Sequence, residues 1–467
     1  MRRTTEVVIK GIVIGAAGSG SGKTTITLGL LAAAKARGMS VAAFKVGPDF
    51  IDPGHHTHII GRPSRNLDGW MLSEEQNLVV FSTAARGVDL AVVEGVMGLF
   101  DGYDGRSEAG STAQMAKWLG LPVLLVVNAA SMARSAAAVV QGFERFDPEL
   151  SFAGVLFNRI GSPRHLGYLR DALEENVRMT VLGGVPRTEA VNIPERHLGL
   201  HTADDHPLTE AVIDRLSTLI ESSMDLDAFF DRLPEVGATK SKPVPDHRHP
   251  RPVRIGVARD RAFCFYYPDN LDMLEAAGAQ LIDFSPIRSP SLPSGIDGLY
   301  FGGGYPELSA AELASNDRLR GEVLKASEAG MPIYGECGGF MYLCRELIDL
   351  DGTAHPLVGC FPMTTRMQSI RRSLGYREAT LSEDTPLGPA GLTLRGHEFH
   401  YSDIECIASP VPTVYHVAPR EGVSHAAEGY CLRQTLGSYL HLHFGSCPEA
   451  AAAFVDACMT YGRSRRT

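Results

Sequence analysis

Apolar residues in the first half of the chain come in short, nearly continuous runs separated by longer mixed stretches. Residues 7–14, 41–45, 90–94, 123–128, 154–158 and 181–185 are such runs. Unbroken apolarity over a few residues, without strict alternation, predicts strands covered on both faces, as in a parallel sheet. Between the first two runs, residues 24–37 predict a helix, and Gly38 follows as its C′ residue. Strand and helix alternate, so residues 1–232 predict a doubly wound α/β domain. The pattern breaks at 233–252, LPEVGATKSKPVPDHRHPRP, where proline recurs and large apolar side chains are sparse. That composition predicts a linker. A second series then begins in 253–467, with strands expected at 254–258, 280–284, 298–301 and 332–335, and helices at 271–278 and 339–347. The expected fold class is α/β, with two doubly wound domains.

Composition narrows the field of functions. Hydrophobic residues make up 44% and charged ones 21%, as in a globular chain able to bury sizeable cores. Lys plus Arg number 44 against 54 for Asp plus Glu, and the net charge of −10 argues against a general nucleic-acid binder. A local basic patch around a small anion stays compatible with it. No apolar run approaches the roughly 18 residues that cross a bilayer, so no membrane partner is expected. The basic start and apolar run of MRRTTEVVIKGIVIG lead straight into a glycine-rich GK motif, which makes this a first strand rather than a signal peptide. A cytoplasmic protein is expected. All eight cysteines lie from Cys264 onward and none forms a C-x-x-C pair, so neither a zinc ribbon nor a thioredoxin-type motif is present.

The strongest local signal is GAAGSGSGKTT, residues 15–25, between a predicted strand and a predicted helix. Gly18, Gly20 and Gly22 let the backbone aim its N–H groups at phosphate. Lys23 adds a full charge, Thr24 a hydroxyl for Mg²⁺, and Thr25 is a further candidate for binding the nucleotide. Ala17 stands where G-x-x-x-x-G-K-T has its first glycine. Two other strands end in acid-bearing loops, FKVGPDFIDPGHH and AVVEGVMGLFDG. Ligands of open α/β sheets sit beyond such carboxyl ends. Lys45 is expected to neutralise a transferring phosphoryl group, and Asp49 and Glu94 to join Thr24 around Mg²⁺. Asp101 follows in the second loop, and Asp52 reads more readily as a turn or capping residue. His55, His56 and His58 lack a second cluster of suitable spacing, so a solvent-facing or substrate-side loop is expected rather than a metal site.

The second half carries PIYGECGGFMYLC, an apolar strand, a glycine-flanked Cys337 and a helical pattern. That is the layout of a nucleophile elbow, and the helix end is expected to lower the thiol pKa. YFGGGYPE offers backbone N–H donors for an oxyanion. In GSYLHLHFGS, His441 and His443 lie two apart, so either could face Cys337 from a strand.

Together KVGPDFIDPGHH, EGVMGLFDG, YFGGGYPE, GECGGFMYL and YLHLHF resemble the cobyrinic acid a,c-diamide synthase family, from about residue 8 to 460. The resemblance implies an N-terminal P-loop amidoligase domain of dethiobiotin-synthetase type and a C-terminal class I type glutamine amidotransferase domain. It implies ATP and glutamine as co-substrates, Mg²⁺, and a tetrapyrrole polycarboxylate as acceptor. Phosphorylation of a carboxylate would give an acyl phosphate. Ammonia, released from glutamine through a Cys337 thioester, would displace the phosphate, first at the c and then at the a position. The resemblance assigns Lys23 and Thr24 to phosphate and Mg²⁺, Asp49 and Glu94 to Mg²⁺, and Asp101 to the substrate or its phosphorylated intermediate. It selects His441, because related cobyric acid synthases keep only the first histidine in a YLHG-type sequence. The H-x-E pair of most class I amidotransferases is missing, and Glu398 in GHEFHYS is a weak candidate for the third triad member. Arg371, Arg372 and Arg377 are candidates for binding the polycarboxylate. Hydrogenobyrinic acid or Ni-sirohydrochlorin as acceptor, a partitioning-type ATPase switch, and a homodimer all stay open.

Overall fold

The computed structural model describes residues 8–187, 195–196, 199–200, 202–237, 252–407, 409–418 and 428–465. Internal contacts divide the chain into two units, Met1–Lys242 and Pro243–Thr467.

The first unit is built on strands β1 (Val8–Ala16), β2 (Val41–Val46), β3 (Arg65–Leu67), β4 (Leu90–Glu94), β5 (Val123–Asn128), β6 (Phe152–Ile160) and β7 (Val181–Pro186). They form one sheet in the order β3-β2-β4-β1-β5-β6-β7, parallel throughout. Successive residues feed two cores. Val13, Phe44, Val93 and Leu125 face one, and Ile12, Ala43, Val92 and Leu124 the other. Both faces are therefore dry, which is why these strands read as continuous apolar runs. The chain leaves β1 toward β2 and leaves β4 toward β5, so the loops after these neighbours diverge and open a crevice at their carboxyl ends. A two-stranded ribbon, β8 (Glu195–Arg196) and β9 (Gly199–Leu200), follows β7.

Composition places residues 233–237 in the linker, but β10 (Glu235–Gly237) pairs antiparallel with Val8–Lys10 of β1. Only the far end of β1, from Val13, is taken by β5, so the backbone groups of its first residues are satisfied by this returning segment. Residues 238–251 of the expected linker lie outside the described residues.

The second unit contains β11 (Val253–Ala258), β12 (Ala279–Phe284), β13 (Gly298–Phe301), β14 (Ile333–Glu336), β15 (Cys344–Ile348), β16 (Ala354–Pro356) and β17 (Phe361–Met367). They are followed by β18 (Ser373–Leu381), β19 (Thr393–His400), β20 (Ser402–Ile407), β21 (Thr413–Val417), β22 (Glu428–Leu432), β23 (Thr435–Ser438) and β24 (Leu440–Leu442). A parallel core, β12-β11-β13-β14-β23, continues into an antiparallel run, β23-β22-β21-β18-β19-β24. β15, β16, β17 and β20 form a separate sheet. Residues 344–347, expected to be helical, are strand: Cys344 and Leu347 are buried while Arg345 is exposed, and β15 pairs with β17. Only Tyr439 separates β23 from β24, although they lie at opposite ends of the antiparallel run. Those six strands must therefore curl back on themselves, which carries β19 to the carboxyl end of β14.

Candidate active sites

In the first unit, β1 ends at Ala16 and helix α1 (Lys23–Ala36) begins after an intervening loop, residues 17–22. Gly20 and Gly22 hold φ of +72° and +101°, which side-chain-bearing residues adopt at a cost. Gly22 is fixed for a second reason, since a Cβ there would lie 2.1 Å from Asn158 Nδ2. That amide, at the end of β6, donates to Ser21 O at 2.8 Å and braces the loop from behind. Lys23 is buried and donates to Met97 O. Burial, and then the charge of Lys45, lowers its pKa.

Strand ends deliver a compact charged cluster beside α1. Lys45 Nζ lies 2.5 Å from Asp52 Oδ2, 2.9 Å from Glu94 Oε1 and 3.9 Å from Asp49 Oδ2. Thr24 Oγ1 donates to Glu94 Oε1 at 2.7 Å and lies 3.5 Å from Asp52 Oδ2. Burial opposes the charge on Glu94, but Lys45 and His56 outweigh it and hold the carboxyl below the usual range. Burial also opposes the charge on Lys45, and Asp52 and Glu94 outweigh it. Asp52 is pushed the other way, first by burial and then by Glu94. Its second oxygen, Oδ1, is buried without a hydrogen-bond partner.

This hydroxyl and carboxylate set is hard-oxygen chemistry and fits Mg²⁺. Among the described residues no three His, Cys, Asp or Glu side chains form a ready metal cage. Mg²⁺ beside a nucleotide needs none, because it takes one or two carboxylates and completes its shell with phosphate and water. Asp49 is less committed: its Oδ1 accepts from Ile51 N at 2.8 Å, the ordinary turn arrangement. Asp101 is exposed, accepts from Gly98 N at 2.9 Å, and lies near enough to Lys23 to act on its charge.

The histidines depart from expectation. They lie on helix α2 (Ile51–Ile60), not in a solvent-facing loop, and His55 and His56 are buried. His56 Nε2 meets Glu94 Oε2 at 2.7 Å, while His58 Nε2 meets Leu208 O at 2.8 Å.

In the second unit, Cys337 follows β14 with φ +47° and opens the short helix Gly338–Leu343. A cysteine held at positive φ is strained and is kept there by its surroundings. Its N–H donates to Ser438 O at 2.7 Å. Behind it a Cβ on Gly339 would lie 2.2 Å from Phe301 O, and one on Gly338 would lie 2.9 Å from Gly304 O. The helix can therefore press onto the GGG loop only because both residues are glycine. The thiol pKa is raised, not lowered as the helix end suggested. Burial dominates, the Glu307 charge adds to it, and the short helix cannot offset them. Cys337 Sγ contacts Phe399 O at 3.8 Å.

His441 pairs across from His397 in the β19–β24 register, and their rings stack at 4.8 Å. At the Cε1 edge of the His441 ring lies Gly303, where a Cβ would come within 2.3 Å of that atom. His441 Nδ1 is 3.8 Å from Glu336 Oε2. His443 lies past the strand end, packs on Tyr267 at 4.6 Å and accepts from Gly445 N at 3.1 Å. Burial pulls its pKa down to about 3, so it is a neutral packing residue.

The sequence matches two family models, the CobQ/CobB/MinD/ParA nucleotide binding domain over residues 12–200 and the CobB/CobQ-like glutamine amidotransferase domain over 254–448. It is 47% identical over 452 residues to the cobyrinate a,c-diamide synthase of Syntrophotalea carbinolica, covering 96% of this chain and 98% of that one. It is 45% identical to that of a Synechococcus species, with 96% and 98% covered. It is 42% identical to that of Methanosarcina barkeri, with 97% of each covered. The chain belongs to the cobyrinate a,c-diamide synthase family.

Against what the resemblance to that family led one to expect, the structure adds and removes residues. Asp52 and His56 join the phosphate-side cluster. Glu398 is not beside His441. His397 faces His441, so its neighbour Glu398 points to the other face of β19, where it meets Arg377 Nε and His400 Nε2 at 2.8 Å each. Arg372 and Arg377 are already paired, with Asp403 and Glu398, and line a cavity of about 600 Å³. Arg371 is exposed.

Proposed function

We propose that this chain amidates two carboxylates of cobyrinic acid, using ATP and glutamine, with the two half-reactions divided between its units. One observation carries the proposal: a single chain holds both a P-loop lined by Lys23, Thr24, Lys45, Asp52 and Glu94, and, in its second unit, a strained, glycine-backed cysteine together with a buried histidine.

In the first unit the loop N–H groups of Gly18, Gly20 and Gly22, with Lys23, bind the ATP phosphates, and Thr25 continues that helix turn. Thr24, Asp52 and Glu94, with Asp49 alongside, would hold Mg²⁺, whose contribution when bound is to neutralise phosphate charge. Lys45 offsets the charge of the phosphoryl group in flight. A substrate carboxylate oxygen attacks the γ-phosphorus and ADP leaves, giving an acyl phosphate beside Asp101. Ammonia then attacks the carbonyl carbon, phosphate leaves, and an amide remains.

In the second unit His441 takes the Cys337 proton, because a buried thiol is a poor nucleophile until it is deprotonated. The thiolate attacks the glutamine side-chain carbonyl, and His441 returns the proton to the departing nitrogen, releasing ammonia. Water then hydrolyses the thioester to glutamate. We place the reaction in the cytoplasm, which supplies ATP, glutamine and reducing conditions for the thiol. Among the described residues no helix is long and apolar enough to cross a membrane.

The test is mass spectrometry of cobyrinic acid incubated with the protein, Mg-ATP and glutamine, beside Cys337→Ala. A diamide that disappears in the variant and returns with added ammonia supports both halves. Turnover of ATP and glutamine with cobyrinic acid intact would move the acceptor to hydrogenobyrinic acid or Ni-sirohydrochlorin. No turnover with any of the three would overturn the proposal.

A further inference from the structure

We infer that Glu336, the residue immediately before the nucleophile, positions His441 for the thiol and takes the part of the acid that this chain lacks after its histidine. The inference rests on the glutamine half of the proposed function. His441 is followed by Leu442 and His443, so no carboxylate follows two positions on. The structure supplies one from a different strand. Glu336 Oε2 lies 3.8 Å from His441 Nδ1, with the two side chains 1% and 3% exposed. That is an ion-pair distance rather than a hydrogen bond, and catalytic hydrogen bonds in ligand-free sites are commonly long, tightening in the complex.

The carboxylate cannot wander. Tyr334, two residues earlier and therefore on the same strand face, donates to Oε1 at 2.7 Å. Tyr300 donates to Oε2 at 3.2 Å. The third donor is Leu442 N, at 3.2 Å, the peptide next to His441 itself. The acid thus fixes both the ring and the backbone that carries it. His397 stacks on one face of that ring and Gly303 lies against it. Burial, and then His441 and His443, lower the pKa of His397.

With Nδ1 turned to Glu336, we assign Nε2 to the thiol. The S–H proton moves to Nε2, the Nδ1 proton stays directed at Glu336, and the carboxylate stabilises the imidazolium between them. The Nε2 proton then goes to the leaving nitrogen as the C–N bond breaks and ammonia departs. No carboxylate is protonated in the cycle.

The experiment uses the full chain and measures glutamine hydrolysis in steady state for wild type, Glu336→Gln, Glu336→Asp and Tyr334→Phe, with alkylation of Cys337 by iodoacetamide in parallel. For Glu336→Gln the expected result is a fall in kcat of roughly 10²- to 10⁴-fold, by analogy with loss of the orienting acid in a serine triad. KM for glutamine should stay within about threefold. Alkylation should slow, and Glu336→Asp should recover part of kcat. A Glu336→Gln enzyme with kcat within about threefold of wild type and unchanged alkylation overturns the inference while leaving the glutaminase intact. A wild type that hydrolyses no glutamine overturns both. Should Glu336→Gln fail to fold, Tyr334→Phe decides, because it keeps the acid and removes its 2.7 Å donor. A severalfold loss of kcat supports the positioning role, and an unchanged kcat overturns it.

Discussion

The nucleotide cradle and the thiol elbow start from the same local plan, a buried strand, a glycine turn and a helix, and reach reactivity by opposite means. At the cradle the glycines hold the positive φ themselves, at Gly20 and Gly22, and charge does the chemistry. Lys45, Asp52, Glu94 and Thr24 come from two strand ends and two helices and pair with one another. At the elbow the residue at positive φ is the nucleophile, and its glycines serve only to let backbones touch. One site keeps its potential in unspent electrostatics, the other in a bent main chain. Each should therefore fail in its own way.

The largest effect is expected at the cradle. Lys45→Ala leaves Glu94 and Asp52 buried without their cation, and truncating one partner of a buried charged group costs about 3–5 kcal/mol. Urea denaturation should show that loss, and an undiminished midpoint would mean the cluster is wetter than its burial implies. At the elbow, Gly339→Ala adds a methyl 2.2 Å from Phe301 O, and overpacking of this kind costs about 1–3 kcal/mol. The same denaturation series applies, and glutaminase should fall with stability.

Cys337→Gly separates strain from chemistry. It is inactive, yet it should be about 1 kcal/mol more stable than Cys337→Ala, because glycine accepts φ +47° at a smaller cost. Equal stabilities would mean that the elbow stores no strain. The smallest effect is expected at Glu398, on the face of β19 opposite His397. Burial works against the Glu398 charge, but His400, Ser373 and Arg377 outweigh it and bring its pKa to about 2. A depressed folded pKa contributes stability above the unfolded value near 4.3 and loses it as pH falls toward about 2. Glu398→Gln should flatten the melting temperature between those limits by about 1–3 °C.

Much of the scaffold was legible. The parallel strands show in the sequence because both their faces are dry, and the glycine loop because its chemistry tolerates few other residues. What stayed hidden depended on which way a side chain points. Asp52 sits beside Pro53 and Gly54, poor helix formers that disguise α2 as a loop, so its approach to Lys45 and that of His56 to Glu94 had no local signature. Glu398 was a fair guess one residue off the face that matters, since alternation gives that face to His397. Glu336 did leave a trace, an acid at the end of a dry four-residue strand, but only the fold shows which histidine it meets. The thiol pKa was misjudged because helix geometry is visible in sequence and depth of burial is not.

The single-residue join between β23 and β24 bears on the order in which this enzyme becomes dangerous to its own glutamine supply. The acid and the strand that completes its site are 106 residues apart in sequence, and β24 has a partner only once β19 is in place. A chain emerging from the ribosome carries its thiol long before its base. Contacts so distant in sequence close late, so the hydrolytic half awakens only after the acceptor unit, which precedes it in the chain, has already been made.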